Sequence, residues 1–545
     1  MAVKGREKIT VIKKQWGDLE MINWKKVMGT SVLSASLVVS SFAPLLSNVD
    51  KVEAQTNKVV HKQEEANLPF MTKHASGPFD IGIVNDEKVL ASLIEQGVIS
   101  ENASKEEQEK KLNAYLQKRA DKAEALVDDP KEIRADIQEE AGIKSVAAGT
   151  PKVSKQEKIA ANKKTPSSIV EEGWDGEVIK DEVLVLLIEF PDYPHSSITE
   201  NDDPVLLYDD YTKKHYEEMV FGDSTYKGGN GEDFISMKSF YEQQSGGSYT
   251  IDGAVSDWYT AKHPAAYYGG NYPTADGSDI RPRDLVKEAL ADAAKDPNID
   301  LSQFDKEDLY DLDGDGNYRE PDGIIDHLMV VHAGTGEEAG GGRVGADAIW
   351  SHSWSLSSPT VIPGTEGTAE VPYWGGGLTA FDYTIQPEDG ATGVFAHEFG
   401  HDLGLPDEYD TNYTVGGVGA PTDYWTIMAS GSWAGIIGGT EPTGFSPYDK
   451  EYLQNKWPNS NWFKPVEYSL EDIIDGTKTL NIDQASVKGT NADAIKVKLP
   501  DKQLFVNTPA SGEYEYFSGK GNDVDNDLIT TVDLTNASTA EFTFN

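Results

Sequence analysis

The chain has 545 residues, no cysteine and a formal net charge of −44. That length allows two to four domains. The missing thiols exclude disulfides, thiol catalysis and Cys-ligated zinc, and the acidity argues against binding a phosphate backbone, so no nucleic-acid partner is expected. An acidic surface is ordinarily just solvated; it suits a salt-tolerant protein that binds cations.

From Met21 the chain reads "MINWKKVMGTSVLSASLVVSSFAPLLSNVDKVEAQ". Lys25 and Lys26 form a basic start, an apolar and small-residue stretch runs from Val27 to Leu46, and Val52-Glu53-Ala54 suits a cut after Ala54. This is the pattern of a secretory signal peptide, with Met21 as the expected start and residues 1–54 as leader. An N-terminal membrane anchor is the competing reading. The serine-rich run, Pro44 and the cleavage site favour removal. No other stretch is apolar and long enough to span a bilayer. The expectation is a secreted protein without stable membrane association, and a monomer.

Residues 55–165 read as a propeptide followed by a basic linker. "SKEEQEKKLNAYLQKRADKAEALVDD" (104–129) has apolar residues at helical spacing, and "TPKVSKQEKIAANKKTPSS" (150–168) is lysine-rich and poor in large apolar residues. A plain helical domain with a flexible hinge is the alternative. Residues 166–465 alternate buried strands, "EVLVLLIEF" (182–190) and "IIDHLMVVHAG" (324–334), with an amphipathic helix, "RDLVKEALADAAKD" (283–296). They predict one large α/β or α+β domain. From 466 to 545 the short alternating segments "DGTKTLNI", "DAIKVKLP", "EYEYFSG" and "STAEFTFN" predict a β-sandwich, expected to be cut short at Asn545.

The chemistry concentrates in "HEFGHDLGLPDEYD" (397–410). On a helix, His397 and His401 stand one turn apart on one face and can share a Zn2+ at about 2.0–2.1 Å. Glu398 points off that face, free to hold a water whose pKa zinc lowers to about 7, to take its proton and to hand it to a leaving amine. Gly404 can end the helix sharply. Asp407 then sits where metzincins carry their third histidine, in HExxHxxGxxH. A carboxylate is also a good zinc ligand. Glu408 is adjacent, so spacing alone leaves the third ligand open between Asp407 and Glu408. A distant Glu441 or Glu451 would be a thermolysin-like alternative that Gly404 makes unnecessary. "DYWTIMASGSWAG" (423–435) offers Met428 for a Met-turn beneath the metal. His332 and His352 read as structural histidines, with a site-lining role left open for His332.

Those residues, with "YWTIMASGSW" and "SFYEQQSGGSYTIDGAVSDWY" (239–259), resemble the immune inhibitor A family of secreted bacterial zinc metalloendopeptidases. The resemblance covers the leader, the propeptide, the catalytic domain and the start of the sandwich. It implies a metzincin-like fold and a protease secreted as an inactive precursor that acts on extracellular or host proteins. It also implies Asp407 as third ligand, and further β-rich domains in full-length members.

"DLDGDGNYREPD" (311–322) predicts a structural Ca2+ loop. Asp311, Asp313 and Asp315 offer carboxylates, Gly316 the turn, Asn317 its carbonyl and Asp322 the twelfth position, where a longer Glu is usual. An Asx-rich turn without metal is the plainer alternative, and "DVDND" (523–527) is a weaker cousin. Without cysteine, a propeptide that blocks the zinc needs a carboxylate. The sequence does not say which, and Asp80 in "GPFDIGIVND" is a candidate. Against the secreted zinc endopeptidase, with peptides as substrates and its own propeptide as inhibitor, stands a calcium-stabilised binding or adhesion protein with an inactive zinc site. Another zinc enzyme, such as an aminopeptidase, is a third reading.

Overall fold

Six consecutive apolar residues, Val183 to Ile188, are wholly buried, and a strand buried on both faces belongs at the middle of a parallel sheet. The computed structural model describes residues 77–123, 126, 130–142, 174, 176–271, 278–410, 421–474, 477–483 and 488–500, all within one unit, Lys62–Leu504. The signal peptide, the 150–168 linker, "DVDND" and the last strand-like segments lie outside the described residues.

In chain order the main elements are α1 (Asp86–Glu95), α2 (Lys105–Ala123), α3 (Pro130–Glu140), β1 (Ile179–Glu189), α4 (Lys213–Phe221), β2 (Thr225–Lys227), β3 (Asp233–Ile235), α5 (Met237–Gln244), β4 (Tyr249–Thr260), α6 (Pro282–Ala293), β5 (His327–His332), β6 (His352–Val361), β7 (Thr379–Pro387), α7 (Thr392–Asp402), α8 (Pro447–Lys456), β8 (Pro465–Ser469) and β9 (Ala494–Lys498). The main sheet is mixed α/β in character, with strand order β4-β1-β5-β7-β6. Its ladders are parallel except at the β6 edge, which pairs antiparallel with β7.

Helix α6 shows how the sequence pattern becomes packing. Pro282 opens it, where a missing N–H costs nothing. Leu285, Val286, Ala289, Leu290 and Ala293 are then buried as one stripe. Helix α7 differs: all 11 of its residues are buried, so it runs through the interior. It is gripped there by side chains from other elements. The Tyr241 hydroxyl donates to the Ala396 carbonyl at 2.7 Å, and the Tyr241 ring meets Phe399 edge-on at 5.3 Å.

The N-terminal helices lie on this body. Leu112, Leu116, Ala120 and Ala123 of α2 join Phe79, Ile81, Ile83, Val89 and Leu93 in a second apolar cluster that also includes Trp350, Val394 and Trp433. The helix expected over 104–129 ends at Ala123, and Pro130 opens α3, as its ring favours a first helical turn. At the other end, β8 and β9 pair in parallel, while "DGTKTLNI" contributes only an isolated bridge from Ile482 to Ala492.

Gly393 marks the tightest approach to α7: a Cβ there would lie 1.9 Å from the Ser432 carbonyl oxygen. Backbone cannot yield as a flexible side chain does. Gly393→Ala is expected to cost roughly 1–3 kcal/mol or more by overpacking, read as a lower melting temperature.

Candidate metal centre

Helix α7 places His397 and His401 with their rings edge to face, centroids 4.8 Å apart, and their Nε2 atoms 3.1 Å apart. Each Nδ1 faces a backbone carbonyl, Ile427 O at 2.7 Å for His397 and Leu405 O at 2.8 Å for His401. A carbonyl can only accept, so each Nδ1 carries the proton and each Nε2 presents a lone pair. This is how outer partners orient ligating histidines.

The helix ends as the glycine predicts. Gly404 has φ +99°, its N–H donates to His401 O at 2.8 Å, and the Leu405 N–H donates to Gly400 O at 3.0 Å. These two bonds make a Schellman cap. The chain turns back and sets Asp407 Oδ1 at 3.3 Å from His401 Nε2 and 3.6 Å from His397 Nε2. The adjacent acid is turned away. Glu408 Oε1 accepts from the Ser446 hydroxyl at 2.7 Å, and its N–H donates to Met428 O at 2.8 Å. Met428 is fully buried under the helix, close enough that a Cβ on Gly400 would lie 2.7 Å from its Sδ.

A fourth donor comes from far away in sequence. Asp80 Oδ2 stands 2.8 Å from His397 Nε2 and 3.3 Å from His401 Nε2. Its other oxygen accepts from the Gly82 N–H at 2.7 Å and the Tyr409 hydroxyl at 2.5 Å. Its carbonyl accepts from the Trp350 indole at 2.6 Å. Burial alone would raise the Asp80 pKa, but the facing His397 and His401 win and hold its carboxyl well below the usual range. Burial likewise disfavours charge on His401, yet Asp407 and Asp80 raise its pKa well above the ordinary value.

The four side chains form one donor group, three of them buried and Asp407 partly so. Donors placed tetrahedrally at 2.0–2.1 Å from zinc are about 3.3 Å apart, and the spacings above straddle that figure. Two imidazoles with fixed tautomers and two carboxylates therefore fit a zinc-like cation.

Glu398 is buried beside this group, and neither of its carboxylate oxygens has a hydrogen-bond partner among the described residues. Burial, then the charge of Asp80, push its carboxyl well above the usual range. A buried acid left without partners is costly.

Under α7 lies a second buried network that the sequence did not reveal. His327 Nδ1 bonds the carboxylate of Asp402, next to His401. Its Nε2 is 3.6 Å from Asp181, and Arg319 donates to Asp181 at 2.7 Å and pairs with Glu307 at 2.6 Å. Arg319 already supplies a cation there, so the three donors Asp181, Glu307 and His327 read as an ion-pair network. His332 and His352, singled out in the sequence, stand outside the metal cluster. His352 is satisfied by Trp350 O at 2.7 Å and the Tyr383 hydroxyl at 3.0 Å. Among the described residues His332 bonds only Ala333 O, at 3.1 Å, and burial lowers its pKa to about 4.

The acidic loop is partly as expected. Asp311, Asp313 and Asp315 gather their carboxylates, and a second group combines Asp308, Asp313 and Glu320. The Asn317 side-chain amide donates to Glu320 at 2.6 Å, which leaves its backbone carbonyl, the expected ligand atom, unaffected. Asp322 belongs to neither group. It is buried, and its Oδ1 accepts from the Ile324 N–H at 2.7 Å, because the chain by then is entering the sheet.

Residues 170–463, more than half of the chain, match the family described as immune inhibitor A peptidase M6, catalytic domain, and residues 476–545 match that described as immune inhibitor A-like, MAM domain. Over 423 residues the chain is 48% identical to immune inhibitor A of Bacillus thuringiensis subsp. alesti, spanning 76% of this chain and 60% of that protein. Over 478 residues it is 42% identical to the pre-pro-metalloprotease PrtV of Vibrio cholerae serotype O1 (strain M66-2), spanning 86% of this chain and 49% of that protein. The chain thus covers between about half and three fifths of these relatives' lengths.

The His327 network gives a pH signature. Burial opposes its charge, but Asp402 and Asp181 raise its pKa from 6.5 to about 10. Its stabilisation is complete below pH 6.5 and is lost as the pH climbs towards 10. His327→Gln should melt lower than wild type at pH 6.5 and show a smaller further drop by pH 10, as followed by calorimetry.

Proposed function

The chain belongs to the immune inhibitor A peptidase family M6, and we propose that it is a secreted zinc metalloendopeptidase, made as a latent precursor, that cuts internal peptide bonds of extracellular proteins. One observation carries the reading. Four donors, the buried His397, His401 and Asp80 and the partly buried Asp407, converge beside the carboxyl of Glu398, which has no hydrogen-bond partner among the described residues.

Zinc held there supplies a Lewis acid that polarises a peptide carbonyl and acidifies water. His397, His401 and Asp407 are the permanent donors, arranged as in metzincins with Met428 packed beneath. Glu398 is the general base: it takes a proton from the attacking water and returns it to the leaving amine. Asp80 keeps the precursor inactive. A catalytic zinc site needs an open fourth position, and the Asp80 carboxylate takes that place. Its charge also helps raise the Glu398 pKa, so its departure both opens the site and favours the basic form of Glu398.

In this reading residues 55–165 are the propeptide, 166–465 the catalytic domain and 466 onward a further β-rich domain, a division supported by the two matched segments. Trp433 adds a second anchor on the propeptide, its indole donating to Ile83 O at 2.6 Å. The Asp311–Asp313–Asp315 group suits a structural Ca2+. The closed four-donor set would also suit a binding protein with an inert metal site, and the same variants separate the two readings.

Glu398→Ala should retain about one zinc by metal analysis and lose internal cleavage of a denatured protein by roughly 10²–10⁴-fold. An unprocessed Asp80→Asn precursor should cut that substrate, whereas the unprocessed wild type should not; equal inactivity of both would defeat the latency reading. Asp407→Ala should lose its zinc on dialysis, while Glu408→Ala should keep it.

A further inference from the structure

Arg119 of α2 is only 1% exposed, and a guanidinium is not buried without partners. Both of its terminal nitrogens donate to the Glu337 carboxylate, one of them at 2.6 Å to Oε2, and Nη2 also reaches Asn271 Oδ1 at 3.5 Å. The guanidinium carbon lies 4.7 Å from the Phe79 ring centre, 5.6 Å from that of Tyr115 and 4.9 Å from that of Trp350. Phe79, Tyr115 and Arg119 belong to the N-terminal segment. Glu337, Asn271 and Trp350 belong to the body beneath it.

The same wall carries Asp279, 3% exposed. Its Oδ2 accepts from the Trp350 N–H at 3.0 Å, while its Oδ1 has no hydrogen-bond partner among the described residues. Burial, then the charge of Glu337, push its carboxyl well above the usual range, and Arg119 pulls the other way. The wall therefore offers a carboxylate fork, a second carboxylate short of a donor, an amide oxygen and an indole face. A planar cation pairs with the fork, reaches the amide oxygen, covers the indole face and brings positive charge near Asp279.

The place adjoins the metal cluster. The Trp350 ring lies 4.3 Å from that of Phe79, tilted by 43°, and its indole donates to the carbonyl of Asp80, whose carboxylate faces the two histidines. A polypeptide lying where Phe79 and Asp80 now lie would pass directly beside the socket.

We propose that Glu337, Asp279, Asn271 and Trp350 form a specificity subsite that takes the guanidinium of an arginine in the polypeptide substrate, with Arg119 as its occupant in the precursor. This rests on the N-terminal segment being a removable propeptide. Once α2 leaves, Glu337 and Asp279 lose their cation, and an incoming arginine restores both the bidentate pair and the aromatic stacking. Lysine, a point charge without the fork, restores only part.

The test uses full-length wild type and the variants Glu337→Gln and Asp279→Asn, each processed to the mature form. Cleavage sites in a denatured protein are mapped by mass spectrometry. Peptides carrying arginine, lysine or citrulline at the position so identified are then compared by kcat/KM. The expected result is arginine at a fixed place relative to the cut, favoured over citrulline by roughly tenfold or more, with that ratio falling towards one in Glu337→Gln. Active wild type with no arginine preference, or a preference unchanged in both variants, overturns the proposal. If Glu337→Gln does not fold, Asp279→Asn decides alone. If processed wild type is inert, the peptidase reading fails, and binding of a fluorescein-labelled arginine peptide to it, against its citrulline twin, still decides the socket.

Discussion

The interior around α7 depends on two imidazole nitrogens held 3.1 Å apart with their lone pairs facing each other. That arrangement is unfavourable by itself and becomes stable when a cation or a shared proton lies between the rings. The carbonyls of Ile427 and Leu405 enforce it by occupying the far side of each ring. The first carbonyl lies in the turn before Met428, and the second lies just past the Schellman cap at Gly404. Helix, cap and methionine turn are therefore one device, and burial of α7 on every side keeps it rigid.

Charge in the interior follows from this centre. Asp407 and Asp80 face the histidines, and Asp402, on the next residue of the helix, reaches the opposite way to His327. Successive side chains on a buried helix point in different directions, so each acid there must find its own partner. Arg319 and His327 supply partners below the helix, and Ser446 supplies one for Glu408. Among the described residues Glu398 has no hydrogen-bond partner for either oxygen, in keeping with the role proposed for it.

Besides the Arg119–Glu337 ion pair, two kinds of contact attach the N-terminal segment. Apolar side chains of α1 and α2 supply area, which is non-directional and tolerant. Indole donors from Trp350 and Trp433 to the carbonyls of Asp80 and Ile83 set the position of this turn-containing stretch. They fix which carboxylate meets the histidines. Tyr409 contributes from the site itself, binding the outer oxygen of Asp80, so the residue that closes the cluster is gripped by the motif it closes.

By itself the sequence determined the local chemistry. The spacing of His397, Glu398 and His401 has one consequence on a helix, because 3.6 residues per turn is a property of the backbone. Gly404 announces the cap for the same reason, and the apolar runs of β1, β5 and α6 announce buried strands and an amphipathic helix. Asp407 and Glu408 could not be separated this way, since both lie past the cap and the outcome rests on where Ser446 and Met428 sit. The strand order, the His327 network and the distance-free list of loop acids, with Asp322 drawn inward, were likewise decided elsewhere. Asp80 is the extreme case: it lies 317 residues from His397. No periodic rule spans such a gap, and only the packed tertiary structure brings the two within hydrogen-bond reach.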